Sequence, residues 1–299
     1  MQGKTLYRSL TLTACALLMA ASAHSADPPT PACEQCASWN VPQKPLRIYG
    51  NTYYVGVHGL SSILITSDKG HVLIDGALRE SAPRIEANIQ ALGFRVQDIK
   101  LILNSHVHMD HAGGIATLQS LSGATVAASA PSAKVLEQGF SNRDDPQYGI
   151  LSPIDKVKSV RVIKDGEIVR VGELALTAHA TPGHTRGSTS WTWKSCEQSR
   201  CLNMVYVDSI SPVSADGFKY SQSKDYPNAV ADFEKSFATI EALPCDILMT
   251  PHPDVSDFFT RIDKRGAGPN ALVDNTACKR FAAAGKKTFA KRLAEEAAQ

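Results

Sequence analysis

Beyond its first 26 residues, the 299-residue sequence has no apolar run long enough to cross a lipid bilayer, so no transmembrane segment is expected. An excess of charge of one sign is also missing. Without Lys4 and Arg8 of the N-terminal segment, 29 basic and 29 acidic residues remain, with no basic run and no aromatic-interleaved patch. This balance argues against a nucleic-acid partner. Internal repeats are absent too, and 43% hydrophobic residues supply the core of one domain or a tightly joined pair.

The G-x-S-x-G motif is absent as well, which removes the nucleophile elbow of the α/β-hydrolases. Histidine, by contrast, is concentrated: of the 9 histidines, 3 lie in the stretch His106-Val107-His108-Met109-Asp110-His111. An apolar, strand-like segment precedes this stretch, and a pair of glycines follows it, where a helix can start. The pattern predicts a strand–loop–helix junction, at which loop side chains point outward from a rigid sheet.

The residue types in this loop indicate metal binding. Imidazole nitrogens and carboxylate oxygens suit zinc, but one tetrahedral ion cannot use all four groups within so short a loop. On an extended backbone His106 and His108 point the same way, whereas Asp110 and His111 follow the turn and point to a second position. The motif therefore predicts a two-metal hydrolytic site in which paired ions hold an activated water.

Two later histidines follow predicted strands in the same manner. His184 comes after the apolar segment Leu174–Ala180, and His252 comes after Ile247–Met249. In both cases a proline-containing turn ends the strand and holds the next side chain at the sheet edge. With three protein ligands each, both zinc ions keep the open position that catalysis requires. The predicted ligands are His106, His108 and His184 for the first ion, and Asp110, His111 and His252 for the second.

The other histidines of the predicted domain are interpreted as structural. His71 opens a strand, and His179 lies inside one. His58 lies in a tight connection between two strands. A turn residue is favoured there over a role near the metals.

The N-terminal residues are typical of a secretory signal peptide. Two basic residues lead, the apolar segment Leu10–Ala21 follows, and it is too short to span a membrane. A bacterial lipoprotein pattern ending at Cys15 is the alternative, which is disfavoured because the apolar run continues beyond that cysteine. We expect residues 1–26 to be removed and residues 27–299 to form a single exported domain.

Export changes the interpretation of the cysteines. Six of them follow Cys15, and an even number in an oxidising compartment favours disulfides. A cysteine zinc site is the alternative, but a lone C-x-x-C lacks its partner pair. Six cysteines allow 15 pairings. The expected pairs are Cys196 with Cys201 and Cys245 with Cys278. The sequence leaves the connectivity of Cys33 and Cys36 open, with a local pair between them as one option.

The predicted strands fall into two runs along the sequence, and each run is followed by helices. The predicted strands lie near 47–49, 53–57, 61–66, 72–74 and 99–104, in three pieces over 160–180, and near 189–194, 205–207 and 247–249. The predicted helices lie near 82–92, 114–121, 132–138, 228–242, 254–260 and 270–297. This order fits two sheets packed face to face with helices outside.

These motifs resemble those of the metallo-β-lactamase superfamily, and most of all those of its subclass B3. The resemblance runs from about Trp39 to the C-terminus. The histidine motif alone identifies only the superfamily, whereas Ser209 directly after Asp208 is typical of the lactamase subclass. The matching segments are Ile48–Gly56, His106–Gly114, Thr181–Thr185, Ser190–Trp193, Val207–Ser211 and Thr250–Pro253.

The resemblance implies an αβ/βα sandwich, an α/β fold of two mixed sheets with helices outside and the metals at one edge between the sheets. It implies two zinc ions per chain, a monomer, and a small-molecule β-lactam as substrate. Such a bacterial enzyme acts in the periplasm or is secreted. It confers antibiotic resistance by hydrolysing the β-lactam amide bond of penicillins, cephalosporins and carbapenems.

The resemblance also implies roles for individual side chains. Zinc lowers the pKa of bound water, so that hydroxide can attack the carbonyl carbon at neutral pH. Asp110 is expected to orient that hydroxide or relay its proton, or to act as a ligand only. Ser209 and Ser211 are expected to contact the second site's water and the substrate carboxylate. Gln147, in a polar loop, either donates to the substrate carbonyl oxygen or is a plain loop residue.

Two other classes of function stay open on the sequence alone. A thioesterase or lactonase of the same fold often carries an aspartate that bridges both metals near the position of Asp208. A zinc-binding protein without activity is disfavoured, because each predicted site leaves a position open, whereas a structural site is closed.

Overall fold

The structure is a computed structural model, and it describes residues 1–3, 33–264 and 272–298. The chain divides into the units Met1–Thr30 and Pro31–Gln299. Nearly all of the predicted signal peptide therefore lies outside the described residues. Within those residues, no helix is both long and apolar enough to cross a membrane.

The first of two sheets in the described chain has seven strands, whose spatial order follows the sequence. Its first four strands pair antiparallel, and its last four pair parallel. The strands are β1 (Leu46–Tyr49), β2 (Thr52–Tyr54), β3 (Ile63–Ile65), β4 (His71–Ile74), β5 (Ile99–Leu103), β6 (Thr125–Ser129) and β7 (Val160–Ile163). In β5 all residues but Lys100 are buried, as expected for a parallel strand covered on both faces.

The second sheet has five strands in the order β12-β11-β10-β9-β8. They are antiparallel except for β11 and β12, which pair in parallel. These strands are β8 (Ile168–Val171), β9 (Leu174–Ala180), β10 (Thr189–Glu197), β11 (Arg200–Tyr206) and β12 (Ile247–Met249). The long β10–β11 hairpin places Cys196 opposite Cys201, where the two form a disulfide.

Helices lie along the chain between and after the strands. The described α-helices are α1 (Cys36–Trp39), α2 (Ala82–Ala91), α3 (Met109–Ala112), α4 (Ile115–Ser122), α5 (Ala130–Gln138), α6 (Ala229–Ala242), α7 (Phe258–Asp263) and α8 (Ala277–Ala297). Short 3₁₀ turns lie at Arg79–Ser81, Val96–Asp98 and Pro253–Ser256.

Three buried layers hold the elements together, and strand alternation sorts the side chains among them. Leu101 and Leu103 of β5 point into the layer between the sheets, where Trp191 of the second sheet also lies. Ile102, between the two leucines, points outward to the layer under α2, α4 and α5. The outer face of the second sheet packs on α6 and α8 through Phe233 and other residues. The αβ/βα sandwich expected from the resemblance is thus confirmed.

Several predicted boundaries change in the structure. Strand β6 was missed, because its Thr-Val-Ala-Ala-Ser sequence is weakly strand-forming and the flanking strands β5 and β7 decide its conformation. The helix expected near 254–260 is two pieces, separated at Asp257, whose φ is +50°. Strand β11 begins earlier than expected, at Arg200, and α8 begins later, at Ala277.

Both expected disulfides are present, and Cys33 and Cys36 form the local pair that the sequence left open. The three bonds join Cys33 to Cys36, Cys196 to Cys201, and Cys245 to Cys278. Every cysteine of the described chain is therefore paired, and the alternative of a cysteine zinc site is wrong.

Candidate metal centre

The ends of β5, β9, β11 and β12 meet at one edge between the two sheets, and the loops that follow them carry the site. His108 has an extended backbone, with φ −108° and ψ 159°, directly before the short helix α3. The change from extended to helical backbone separates His106 and His108 from Asp110 and His111, as predicted. The end of α3 lies close to the residues that follow β4, since a Cβ on Gly114 would overlap the carbonyl oxygen of Gly76.

The six predicted ligands form two groups in the structure. Within each group the candidate ligand atoms lie within 4.8 Å of one another, and five of the six residues are buried. The first group is His106, His108 and His184, and the second is Asp110, His111 and His252. The side chain of His252 is 25% exposed, so the second group is the one that opens toward solvent.

In the first group, two imidazoles are each held by a carboxylate. His106 Nδ1 lies 2.7 Å from Oδ1 of Asp208, and both side chains are fully buried. His108 Nε2 lies 3.0 Å from Oδ2 of Asp145. Because an ionised carboxylate only accepts hydrogen bonds, the hydrogen of each ring lies on the nitrogen that faces it. The other nitrogen, Nε2 of His106 and Nδ1 of His108, is then a bare lone pair for a metal.

Backbone carbonyls hold two further rings in the same way. His184 Nδ1 donates to the carbonyl oxygen of Ser211 at 2.8 Å. His252 Nδ1 donates to the carbonyl oxygen of Gly59 at 3.3 Å, and its ring packs against Trp39 with centroids 5.2 Å apart. The Nε2 atoms of both rings are left for a metal.

The second group is organised around the one carboxylate among the six side chains. Oδ2 of Asp110 lies 3.2 Å from Nε2 of His111 and 3.2 Å from Nε2 of His252. Burial disfavours the charged form of Asp110, but the neighbouring His111 and His252 outweigh it and hold the pKa of that carboxyl well below its usual range. Asp110 is therefore an anion at neutral pH, as a metal ligand must be.

Orphaned polar atoms test whether these residues fit metal ions. Nε2 of His106 and Nδ1 of His111 are buried, and neither has a hydrogen-bond partner among the described residues. A buried polar atom without a partner costs about 1–3 kcal/mol. A metal ion at Nε2 of His106 relieves this cost, so the histidine and carboxylate donor set fits zinc. A metal ion does not explain the orphaned Nδ1 of His111, because Nε2 is the nitrogen of that ring that lies beside Asp110 and would bind the ion.

The pKa values of the rings agree with their role as ligands, with one exception. Burial, reinforced by neighbouring histidines, lowers the pKa of His106 well below its usual value and that of His184 to about 3. Burial also lowers the pKa of His111. These rings are neutral at physiological pH. For His108 burial acts in the same direction, but Asp145 outweighs it and raises the pKa.

The sequence reasoning missed a buried carboxylate that holds the loop after β5 by hydrogen bonds. Asp75, at the end of β4, accepts hydrogen bonds from the Ser105 amide at 2.8 Å, the Ser105 hydroxyl at 2.7 Å and the Tyr206 hydroxyl at 2.8 Å. Asn104 donates from one amide group to Asp75 and to the carbonyl oxygen of His106. A lone acidic residue directly after the apolar residues Val72–Ile74 is the sequence signal that could have found it.

Two of the three expected substrate-binding residues, Ser211 and Gln147, lie beside the first group. Ser211 is exposed, and its hydroxyl oxygen lies 3.4 Å from Nδ1 of His184. The side-chain Nε2 of Gln147 lies 3.4 Å from Nδ1 of His108, while the backbone N–H of Gln147 donates to Oδ1 of Asp145 at 2.8 Å. Ser209 is half-buried and directly follows Asp208, three residues after the end of β11.

The three histidines interpreted as structural lie outside both groups. His58 stacks on Phe259 with ring centroids 5.1 Å apart. His71 accepts from the Ser67 amide, and His179 is bonded to Thr192.

Comparisons with known proteins agree with this geometry. The sequence matches the model of the metallo-beta-lactamase superfamily over residues 55–197. Rm3 metallo-β-lactamase is 55% identical, with a TM-score of 0.87, covering 89% of this chain and 99% of that one. MEM-A1, a subclass B3 metallo-β-lactamase from a soil metagenome library, is 51% identical, with a TM-score of 0.85, covering 87% and 99%.

The chain belongs to the metallo-β-lactamase superfamily.

The chain also matches other proteins over part of their length. The human protein named persulfide dioxygenase ETHE1, mitochondrial, is 31% identical over 191 residues, covering 62% of this chain and 60% of that protein. The chain spans about 60% of the length of the first curated relatives that it matches. The solved metallo-β-lactamases, by contrast, are covered almost completely.

Proposed function

We propose that the protein is an exported zinc β-lactamase with two zinc ions per chain, which hydrolyses the β-lactam amide bond of penicillins, cephalosporins and carbapenems. The observation that carries the proposal is the pair of adjacent ligand groups, in which four ring nitrogens are fixed by protein acceptors so that the opposite nitrogens face a metal. The similarity of the chain to Rm3 and MEM-A1, which are named as metallo-β-lactamases, supports the choice of substrate.

His106, His108 and His184 would hold one zinc ion, and Asp110, His111 and His252 would hold the other. Bound zinc supplies an activated water at neutral pH and polarises the carbonyl group that is attacked. Asp110 is the one carboxylate among the six candidate ligands, so it is the residue placed to orient that water or to receive its proton.

Side chains around the first group would bind the substrate. Ser211 is exposed beside His184, and Ser209 lies two residues earlier, so both hydroxyls could donate to a substrate carboxylate. Gln147 has its side-chain amide next to His108, where it can donate to a carbonyl oxygen. These roles extend the predictions made from the sequence.

The second candidate, a thioesterase or lactonase with an aspartate that bridges two metals, is less well supported. Asp208 is the residue at that position, and it belongs to neither ligand group. Its Oδ1 accepts from Nδ1 of His106 instead, on the side of the ring away from the ligand nitrogen. Through this contact Asp208 orients the ring of His106 and does not bridge two metals. The residue after it, Ser209, has a neutral side chain.

Export is proposed from two features that point to an oxidising compartment. The N-terminal residues have the pattern of a signal peptide, and three disulfides are present in the described chain. A monomer acting on small molecules in the bacterial periplasm, or outside the cell, is the state that we propose.

Hydrolysis of a β-lactam panel by the purified mature protein tests the proposal, with a thioester and an acyl-lactone as competing substrates. We expect β-lactam turnover that a chelator abolishes and added zinc restores, with two zinc ions per chain by elemental analysis. His184→Ala should weaken the first zinc site and His252→Ala the second. Turnover of the thioester or lactone without the β-lactams would contradict the proposed substrate. Full activity with no more than one zinc would contradict the two-ion site.

A further inference from the structure

The loop that follows β11 contacts both a candidate ligand, His184, and the loop that carries Gln147. The carbonyl oxygen of Ser211 holds the ring of His184 in place. Four residues later, the Ala215 amide donates to the carbonyl oxygen of Pro146 at 2.8 Å, in the loop that carries Gln147. The conformation of this loop, residues 211–221, therefore decides where several groups around the substrate lie.

The far side of loop 211–221 is bound by a single carboxylate of α8. Glu296 accepts from the Tyr220 amide at 2.9 Å, from the Ser221 amide at 2.9 Å and from the Ser221 hydroxyl at 2.8 Å. Glu296 is only 3% exposed, although it lies three residues from the C-terminus. A buried carboxylate of this kind persists only where hydrogen bonds and a counter-charge satisfy it.

Arg292, one helical turn earlier, is that counter-charge. Its Nε donates to Glu296 at 2.8 Å, and its Nη2 donates to the Ser214 hydroxyl at 2.9 Å and to the Phe218 carbonyl at 2.6 Å. The guanidinium also lies over the ring of Tyr220, 5.5 Å from its centroid. Two neighbouring side chains of α8 thus hold the loop at four of its residues.

Helix α8 is a rigid support for these contacts. The disulfide between Cys278 and Cys245 joins its first turn to the residues before β12. Near its middle, Phe289 stacks on Phe233 of α6 with ring centroids 4.2 Å apart. A loop bound to such a helix is ordered before the substrate arrives, which lowers the entropy cost of binding.

We infer that Arg292 and Glu296 are positioning residues, which hold loop 211–221 in the conformation that receives the β-lactam and so set the affinity for the substrate. The inference rests on the proposed function, and it adds the C-terminal helix to the parts of the chain that determine activity. Neither residue touches the substrate. Both act through Ser211 and through the contact between the two loops.

Glu296→Gln tests the inference, because it keeps the size of the side chain but replaces one acceptor oxygen with an amide that donates. In either orientation that amide faces donors, those of Ser221 or the Tyr220 amide and Arg292. Glu295→Gln is the matched control, since Glu295 is half exposed and lies 3.7 Å from Lys291 on the surface. We expect hydrogen exchange of the Tyr220 and Ser221 amides to become at least tenfold faster in Glu296→Gln and to be unchanged in Glu295→Gln.

In kinetics, we expect Glu296→Gln to raise KM for β-lactams about tenfold with a smaller change in kcat, because a charged hydrogen bond that orders the loop is lost. Zinc content should be unchanged. Ser221→Ala, which removes one of the contacts with Glu296, should shift exchange and KM in the same direction by less, and serves if Glu296→Gln fails to fold. Unchanged exchange would overturn the role of Glu296 in holding the loop. Faster exchange with an unchanged KM would overturn its role in affinity.

The two proposals fail in different ways. If the wild-type protein hydrolyses no β-lactam, the proposed function fails and the affinity part of the inference fails with it. The exchange rates of the Tyr220 and Ser221 amides still decide whether Glu296 holds the loop. If the wild type is active and Glu296→Gln behaves like Glu295→Gln, only the inference fails.

Discussion

Oδ1 of Asp208 lies 2.7 Å from Nδ1 of His106, and solvent reaches neither side chain. This contact fixes the hydrogen of the ring on Nδ1 and leaves Nε2, which has no partner among the described residues, as a lone pair at the edge of the sheets. The pair is 102 residues apart in sequence. A carboxylate that orients a ligating histidine is a recurrent partner of protein metal sites.

Asp208→Ala should lower the affinity of the first site for zinc by roughly ten- to a hundredfold, because the ring of His106 loses the acceptor that orients it. Asp208→Asn keeps an acceptor oxygen, so its effect should be smaller and both ions should stay bound. Competition with a chromophoric chelator measures both affinities. Loss of one zinc in Asp208→Asn, together with wild-type behaviour of Ser209→Ala, would instead favour a bridging aspartate and a thioesterase or lactonase.

Asp145→Ala should weaken the same site and also raise KM, because this carboxylate holds both His108 and the amide of Gln147. We expect roughly a tenfold loss of zinc affinity. Asp144→Ala is the control, since Asp144 is the next residue in the chain and its carboxylate binds Arg186 at the surface. Zinc titration and steady-state kinetics on both variants make the test. Equal effects of the two substitutions would show that loop stability, and not the contact with His108, is responsible.

Ser209→Ala and Ser211→Ala should raise KM for carboxylate-bearing β-lactams and leave zinc content intact. The loss of a hydrogen bond to a charged group costs roughly 1.5–3 kcal/mol, or about ten- to a hundredfold. Zinc should be retained in Ser211→Ala because the backbone carbonyl of Ser211, and not its hydroxyl, is the better-placed acceptor for His184. An effect on kcat alone, with KM unchanged, would place these hydroxyls outside the substrate-binding contacts.

The unfolding free energy of the metal-free protein should contain a pH-dependent contribution from Asp75. Burial raises the pKa of this carboxyl to about 7 from a usual value of 3.8. Because the folded state then binds more protons than the unfolded state, the contribution to stability is present at low pH and is lost as pH rises between about 4 and about 7. In Asp75→Asn this dependence is absent.

Denaturant unfolding of both metal-free proteins across that pH window measures the contribution of Asp75. We expect the stability advantage of the wild type over Asp75→Asn to shrink as pH rises. An advantage that grows with pH would show that the hydrogen bonds from Ser105 and Tyr206 hold Asp75 as an anion, against the direction of burial.

Removal of the Cys245–Cys278 disulfide, by alanine at both positions, should destabilise the protein by about 3–4 kcal/mol. The two cysteines are 33 residues apart, and the entropy of the unfolded chain that a bridge removes grows with the loop it closes. The Cys196–Cys201 pair, only 5 residues apart, should contribute less, roughly 2 kcal/mol. Urea unfolding of the two double variants compares them, and the reverse order would contradict the loop-closure argument.

The metal ligands could be predicted because most of the signal is local. His106, His108, Asp110 and His111 lie within six residues, and the change from an extended to a helical backbone directs them to two positions. The two more distant histidines, His184 and His252, each follow a strand and a proline-containing turn, so the sequence predicted them at the same sheet edge.

Other features could not be found in this way, because they depend on contacts between distant segments. The partners of the ligand rings include a carboxylate after β11, a carboxylate in the loop after α5 and two backbone carbonyls, and no sequence spacing relates them to their rings. Strand β6 is similar, since its small residues form a strand only where β5 and β7 offer hydrogen bonds on both sides.

The sequence by itself therefore determined the six candidate ligands and the resemblance to the superfamily, because the motifs that carry them are short segments of the chain. The sandwich fold followed from that resemblance, and two of the three disulfides were expected from the sequence. Only the tertiary structure decided which nitrogen of each ring faces a metal, that Asp208 orients a ligand ring, and that Glu296 of α8 reaches loop 211–221. The physical reason is that a hydrogen bond requires its two atoms within about 3 Å, and only the packed chain brings atoms from distant segments that close.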